Sequence, residues 1–104
     1  MKTTTSIYKW YKKVTNLVAK NIEKINIHEF TIEVSFMDIR ESNRSITINV
    51  FYHPKDDCKL VNKYSITNYN EDKDNKKSFK DFKNFLEKIE TSSKSFYIEN
   101  NDKN

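Results

Sequence analysis

The stretch FTIEVSFMDIRESNRSITINVFY, residues 30–52, decides the fold. Phe30, Ile32, Val34 and Phe36 alternate with Thr31, Glu33 and Ser35, and Ile46, Ile48, Val50 and Tyr52 alternate with Ser45, Thr47, Asn49 and Phe51. Successive side chains of a strand point to opposite faces, so a period of two predicts two strands, each with one buried face. The link Arg40-Glu41-Ser42-Asn43 predicts a hairpin turn, with Asn43 in the left-handed conformation that glycine usually supplies. After a second turn through His53, Pro54, Lys55, Asp56 and Asp57, a third strand is expected over residues 59–67, with Leu60, Tyr64 and Ile66 inward. The three strands make an antiparallel meander. Met37, Phe51 and Val61 interrupt its polar outer face and, where they cluster, form a small apolar patch suited to a partner.

Two amphipathic segments flank the meander. Ahead of it, Ile7, Trp10, Tyr11, Val14, Leu17, Val18, Ile22 and Ile25 fall at spacings of three and four, which predicts one helix over about residues 4–25 with a single buried stripe. Behind it, residues 68–77 read as a mobile charged loop, and Ser78 as the N-cap of a second helix whose apolar face is Phe79, Phe82, Phe85, Leu86 and Ile89. Residues 95–98 suggest a short C-terminal edge strand, and residues 100–104 a disordered tail. The expectation is a single α+β domain over residues 1–99 in the order helix, three strands, helix (αβββα). Both helices must cover the one apolar face of the sheet.

Charge is distributed unevenly. Lys2, Lys9, Lys12, Lys13, Lys20 and Lys24 against Glu23 give residues 1–27 a charge of +5, and the whole chain carries +4, so residues 28–104 sum to −1. Lys9, Lys12, Lys13, Lys20 and Lys24 form a ridge along the wet side of the first helix, offered to an acidic or phosphate-bearing partner. Only Arg40 and Arg44 are arginines, and lysine contacts phosphates without reading bases, so nucleic-acid binding through this ridge is weakly specific and sensitive to salt.

The composition excludes several classes. The chain has no glycine, and P-loop and dinucleotide folds need glycine where the backbone closely approaches a phosphate. Cys58 is alone, so neither an intrachain disulfide nor a thiolate metal cluster can form. The N-terminus lacks the apolar core of a secretion signal, and no run matches the length of a membrane span. A soluble cytoplasmic protein, without membrane association, is expected. His53 and Cys58 flank one turn with Asp56 and Asp57 between them, an ordinary pattern for a polar turn, and Glu29 and Glu33 alternate to the solvent face. No catalytic residue, metal ligand or cofactor is assigned, and the chain is expected not to be an enzyme.

Lys76-Lys77-Ser78-Phe79-Lys80, together with the αβββα order, resembles the opening of the second helix of double-stranded-RNA-binding domains. That resemblance implies that Lys76, Lys77 and Lys80 hold phosphates across a major groove. The chain departs from that family at Phe79 and Phe82, which stand where the family has small alanines. In size, bias and the architecture of residues 4–90, the chain also resembles small phage-encoded inhibitors of bacterial defence, the anti-CRISPR proteins. This second resemblance implies a catalysis-free protein that blocks a host nuclease complex in the bacterial cytoplasm. It would engage guide RNA, an acidic protein surface or both through the lysine ridge, with Glu71, Asp72 and Asp74 as an alternative acidic contact. Direct binding of RNA or DNA is the alternative function. A homodimer seamed by Met37, Phe51 and Val61 is a third.

Overall fold

The computed structural model describes residues 5–40, 43–69 and 71–102. The order is α1 (Ile7–Lys20), α2 (Ile22–Ile27), β1 (Phe30–Arg40), β2 (Asn43–Tyr52), β3 (Lys59–Thr67) and α3 (Asp72–Asp102). The strands form one antiparallel sheet in the order β1-β2-β3. Helices and sheet share a single core, an α+β domain with the expected αβββα arrangement.

The predicted N-terminal helix is in fact two. Ser6 caps α1 by accepting from the Tyr8 amide. At the other end Asn21 leaves helical geometry, and its Nδ2 donates to the Leu17 carbonyl at 2.8 Å. An asparagine that satisfies a last-turn carbonyl competes with the helix ladder, and α2 restarts from the Asn21 carbonyl, which accepts from Ile25 at 2.9 Å. The break takes Ile22 off the buried stripe and leaves it 47% exposed, whereas Ile7, Trp10, Val14 and Ile25 are buried.

Strand β1 pairs with β2 from Phe30↔Tyr52 to Arg40↔Asn43. Asn43 is therefore the first residue of β2 rather than a left-handed turn residue, and the residues between it and Arg40 lie outside the described ones. Left-handed backbone falls instead at Glu29 (φ 65°) and Lys55 (φ 55°). Glu29 follows the C-cap of α2, where glycine is the usual choice, and its carbonyl accepts from the His53 amide at 2.9 Å as β1 begins. A chain without glycine places ordinary residues in these positions, at roughly 1–2 kcal/mol each.

The inward row of β2, Ile46, Ile48, Val50 and Tyr52, is buried as predicted. On β3 the alternation slips. Val50 pairs with Asn62 but Phe51 with Leu60, so Val61 is an extra residue bulged out of the ladder. The bulge turns Leu60 outward, 54% exposed, and lets Val61 pack on the core, the reverse of the expected assignment. The predicted Met37, Phe51 and Val61 cluster does not form. Met37 lies beside Ser45 and Phe51 beside Thr31, six residues or about 20 Å apart along the sheet.

Helix α3 begins seven residues, about two turns, earlier than predicted, inside the supposed charged loop. The Glu71 carbonyl accepts from the amides of Asp74 and Asn75. Asp72 and Asp74 place negative charge in the first turn, where the helix dipole favours it. Asn75 is buried, and its amide both accepts from the Thr67 N–H (3.2 Å) and donates to the Thr67 carbonyl (2.8 Å), pairing with the end of β3 as another strand would. Ser78 is thus inside the helix, not at its cap. The helix also runs through residues 95–98, where a short edge strand was expected, and through residues 100–102 of the expected tail; residues 103–104 lie outside the described ones. Nothing in 90–99 breaks a helix, since there is neither proline nor glycine to end it.

Candidate functional site

The apolar faces of α1 and α3 meet over the sheet. The Trp10 ring lies 5.8 Å from Phe79, and Phe82, Phe85, Leu86 and Ile89 of α3 fill the core beside Trp10 and Val14. Edge-to-face packing of Phe30 on Phe85 (5.4 Å) closes the far end. This packing fixes the lateral position of the two helices, and with it the lysines that flank their apolar faces.

Between the helices runs a groove of about 310 Å³, lined by Lys13, Asn16, Leu17, Lys20, Phe79 and Lys83. Its floor is apolar, from Leu17 and Phe79, both packed on the core. Its rim carries three lysines and, among the described residues, no acid. Lys13 and Lys20 of α1 lie seven residues apart, two turns along one face, and Lys83 comes from α3. The Lys13 ammonium lies 4.9 Å from the centre of the Trp10 ring, so the ring face holds that charge at the seam of the helices.

Asp72 does not line the groove but is close enough to Lys13 for the two charges to interact. Its carboxylate accepts from the Thr5 amide (3.0 Å) and the Thr5 hydroxyl (3.0 Å), tying the start of α1 to the start of α3. The Thr5 amide, above all, holds the Asp72 carboxyl below its ordinary value; partial desolvation opposes this, and the Thr5 hydroxyl and the charges of Lys76 and Lys13 reinforce it. Asp72 is therefore an internal clasp and not a free acidic contact. Glu71 pairs with Lys73 at 3.8 Å, and Asp74 is exposed.

The structure brings together part of the expected lysine set. Lys13 and Lys20 line the groove; Lys76 is close enough to Asp72 to act on its titration. Lys9, Lys12 and Lys80 are exposed and do not line it. Lys24 is half-buried on the separate helix α2, so the ridge does not continue through it. Lys77 pairs with Asp81 at 2.9 Å, one turn along α3. Lys83 is the residue missed by the sequence analysis. The spacing 76, 80, 83 puts it on the same helical face as two expected lysines, a signal that a motif ending at Lys80 cuts short.

A second hollow of about 200 Å³ lies between β3 and α3, lined by Asn62, Tyr64, Asp81, Asn84, Phe85 and Lys88. Burial, and after it the Asp81 carboxylate, push the Tyr64 hydroxyl up to about 12, so it stays a neutral donor at any physiological pH. On the outer face, His53 Nε2 is 2.7 Å from the Thr31 hydroxyl, and Asp57 accepts from the amide of the exposed Cys58. Among the described residues no three His, Cys, Asp or Glu side chains gather as a metal site, and no helix is long and apolar enough to cross a membrane. No protein-family model matches this chain, and neither a curated protein nor a solved structure matches it.

Proposed function

We propose that this chain is a non-enzymatic binding protein whose α1–α3 groove engages the nucleic acid of a nucleoprotein complex. The role that fits its size and design is that of a phage or mobile-element inhibitor, anti-CRISPR-like, blocking a host defence nuclease in the bacterial cytoplasm. One observation carries this: Lys13, Lys20 and Lys83 converge from two helices on a groove with an apolar floor and, among the described residues, no acid on its rim. Three ammonium groups held on rigid helices present a concentrated positive field, and phosphates are the ligand that rewards it, each neutralised phosphate releasing a condensed counterion. The apolar floor gives a sugar or an unstacked base something to rest on.

Direct binding of duplex RNA is the second role, favoured by the αβββα order with α1 and α3 on one face of the sheet. The Lys13→Glu/Lys20→Glu/Lys83→Glu variant tests both. Fluorescence anisotropy with a labelled RNA duplex, a single strand and a guide-loaded nuclease, each over a salt series, should show binding that weakens with a log–log slope between about −2 (single strand) and −3 (duplex) for three phosphate contacts and is lost in the variant. Binding to the loaded nuclease alone, with inhibition of cleavage, supports the inhibitor role. Equal binding to free duplex supports the second. Affinity that is indifferent to salt and to the triple charge reversal overturns both.

A further inference from the structure

The two edges of the sheet are unlike. Edge strands expose a row of unpaired amides and carbonyls, and proteins commonly blunt them with lysine, proline, bulges or a covering element. Edge strand β3 has such protection: Lys59 and Lys63, the Val61 bulge, and the start of α3 pinned to its end by Asn75. Edge strand β1 is 11 residues long and has neither lysine nor proline, and its one irregularity lies at the hairpin end, between Asp38 and Arg40. Of the chain's 19 lysines and arginines only Arg40 and Arg44 fall in residues 25–54.

The ladder fixes which groups β1 turns outward. The His53 amide donates to the Glu29 carbonyl, and the Asn68 amide donates to the Arg44 carbonyl. In an antiparallel ladder the bonded side alternates residue by residue, so the odd residues of β1 bond to β2 and the even ones, Ile32, Val34 and Phe36, aim their backbone groups at the open edge. The side chains of those same residues are on the inner face and only half-buried. Beside them Tyr8 stacks on Phe36 at 5.7 Å and Tyr11 meets it edge-on at 5.6 Å, yet Tyr8 is 54% exposed.

We propose that β1 is a homodimer interface, pairing antiparallel with β1 of a second copy about a two-fold axis at Val34 to give a continuous six-stranded sheet. That register sets Val34 opposite Val34, and Ile32 opposite Phe36, of the second copy, with outward-aimed backbone groups facing outward-aimed backbone groups. The inner apolar faces join and the Tyr8–Tyr11–Phe36 cluster gains cover. On the outer face Glu33 meets Ser35 and Thr31 meets Met37, so no like charges oppose each other. A polyanion finds no lysine on this strand, and a cationic partner finds Glu33 as the one acid in its middle. A second copy of the same strand, whose Asp38 is already paired with Arg44 and whose Glu33 meets Ser35 in this register, is the occupant that matches.

Sedimentation velocity and light scattering of the full chain over a concentration series test it, with three variants. Ser35 is exposed, so substitutions there spare the core. Ser35→Glu sets two like-charge pairs with Glu33 across the two-fold and should weaken the dimer roughly tenfold, whereas Ser35→Lys makes two opposite-charge pairs and should leave it as tight or tighter. Val34→Lys puts two ammonium groups face to face and should give monomer; if it unfolds, as circular dichroism would show, the Ser35 pair decides. A monomer at every concentration, or a dimer that responds alike to Ser35→Glu and Ser35→Lys, overturns the proposal.

Discussion

The helical layer and the β1–β2 hairpin handle charge in opposite ways. Helices α1 and α3 carry lysines along their wet faces, and the packing of Trp10 on Phe79 draws Lys13, Lys20 and Lys83 to one groove. Residues 25–54 carry no lysine, only two arginines against Glu29, Glu33, Asp38 and Glu41, and one of those arginines, Arg44, pairs with Asp38 at 3.2 Å. A lysine bias imposed on the whole chain would have spread through the hairpin too. Its absence from the β1–β2 hairpin, when α1, α3 and β3 all carry lysine, separates a surface suited to phosphates from an edge strand with few charges.

The two regions share one core, so the comparison breaks most completely where they meet. Phe82 is fully buried on α3, 5.5 Å from Tyr64 of β3. Phe82→Ala should cost about 3–5 kcal/mol in urea unfolding, with the hairpin and the helices lost in a single transition. Two separate transitions would show the regions to be independent after all. Asn75→Asp tests the tie between α3 and β3 by replacing the donor to the Thr67 carbonyl with a carboxylate that repels it; a loss of about 2 kcal/mol or more is expected.

On the lysine side, Asp72 links charge to stability. Its folded carboxyl lies below the ordinary 3.8, so its contribution to stability is present above that value and is lost as pH falls through the folded one. In Asp72→Asn the melting temperature should be lower than wild type at neutral pH and depend less on acid. The same change leaves Lys13 and Lys76 unbalanced, so binding of RNA should tighten. Unchanged acid sensitivity would remove Asp72 from this role. The smallest effect belongs to the hairpin side: Glu29→Gly relieves left-handed strain at the entry to β1 and should stabilise by up to about 1 kcal/mol, offset in part by the freer unfolded chain. A destabilised variant would show that the Glu29 side chain does something beyond occupying the turn.

Legibility in the sequence followed the range of the forces involved. Alternation in residues 30–36 and 46–52 placed β1 and β2, and the buried row Ile46, Ile48, Val50 and Tyr52 followed from it. The helix break at Asn21 was less visible, because one side-chain amide choosing a backbone carbonyl leaves the apolar spacing intact. Helix α3 starts early because Asn75 finds a partner in Thr67, eight residues back and across a turn, and composition alone made that stretch look like a loop. Of the lysine set, Lys13 and Lys20 were readable as one helical face. Lys83 joined them only when α3 was laid beside α1.

The amino-acid sequence by itself determined the α+β class, the element order, most of the core and the concentration of positive charge in the N-terminal helical segment, since these rest on patterns that each segment carries within itself. The tertiary structure alone decided which lysines share a groove, that Asp72 is clasped to Thr5, that a bulge exchanges Leu60 for Val61 in the core, and that β1 is an edge strand of the sheet. Each of those depends on contacts between residues far apart in the chain, where the gain from burying one specific pair outweighs the local preference that a periodicity records.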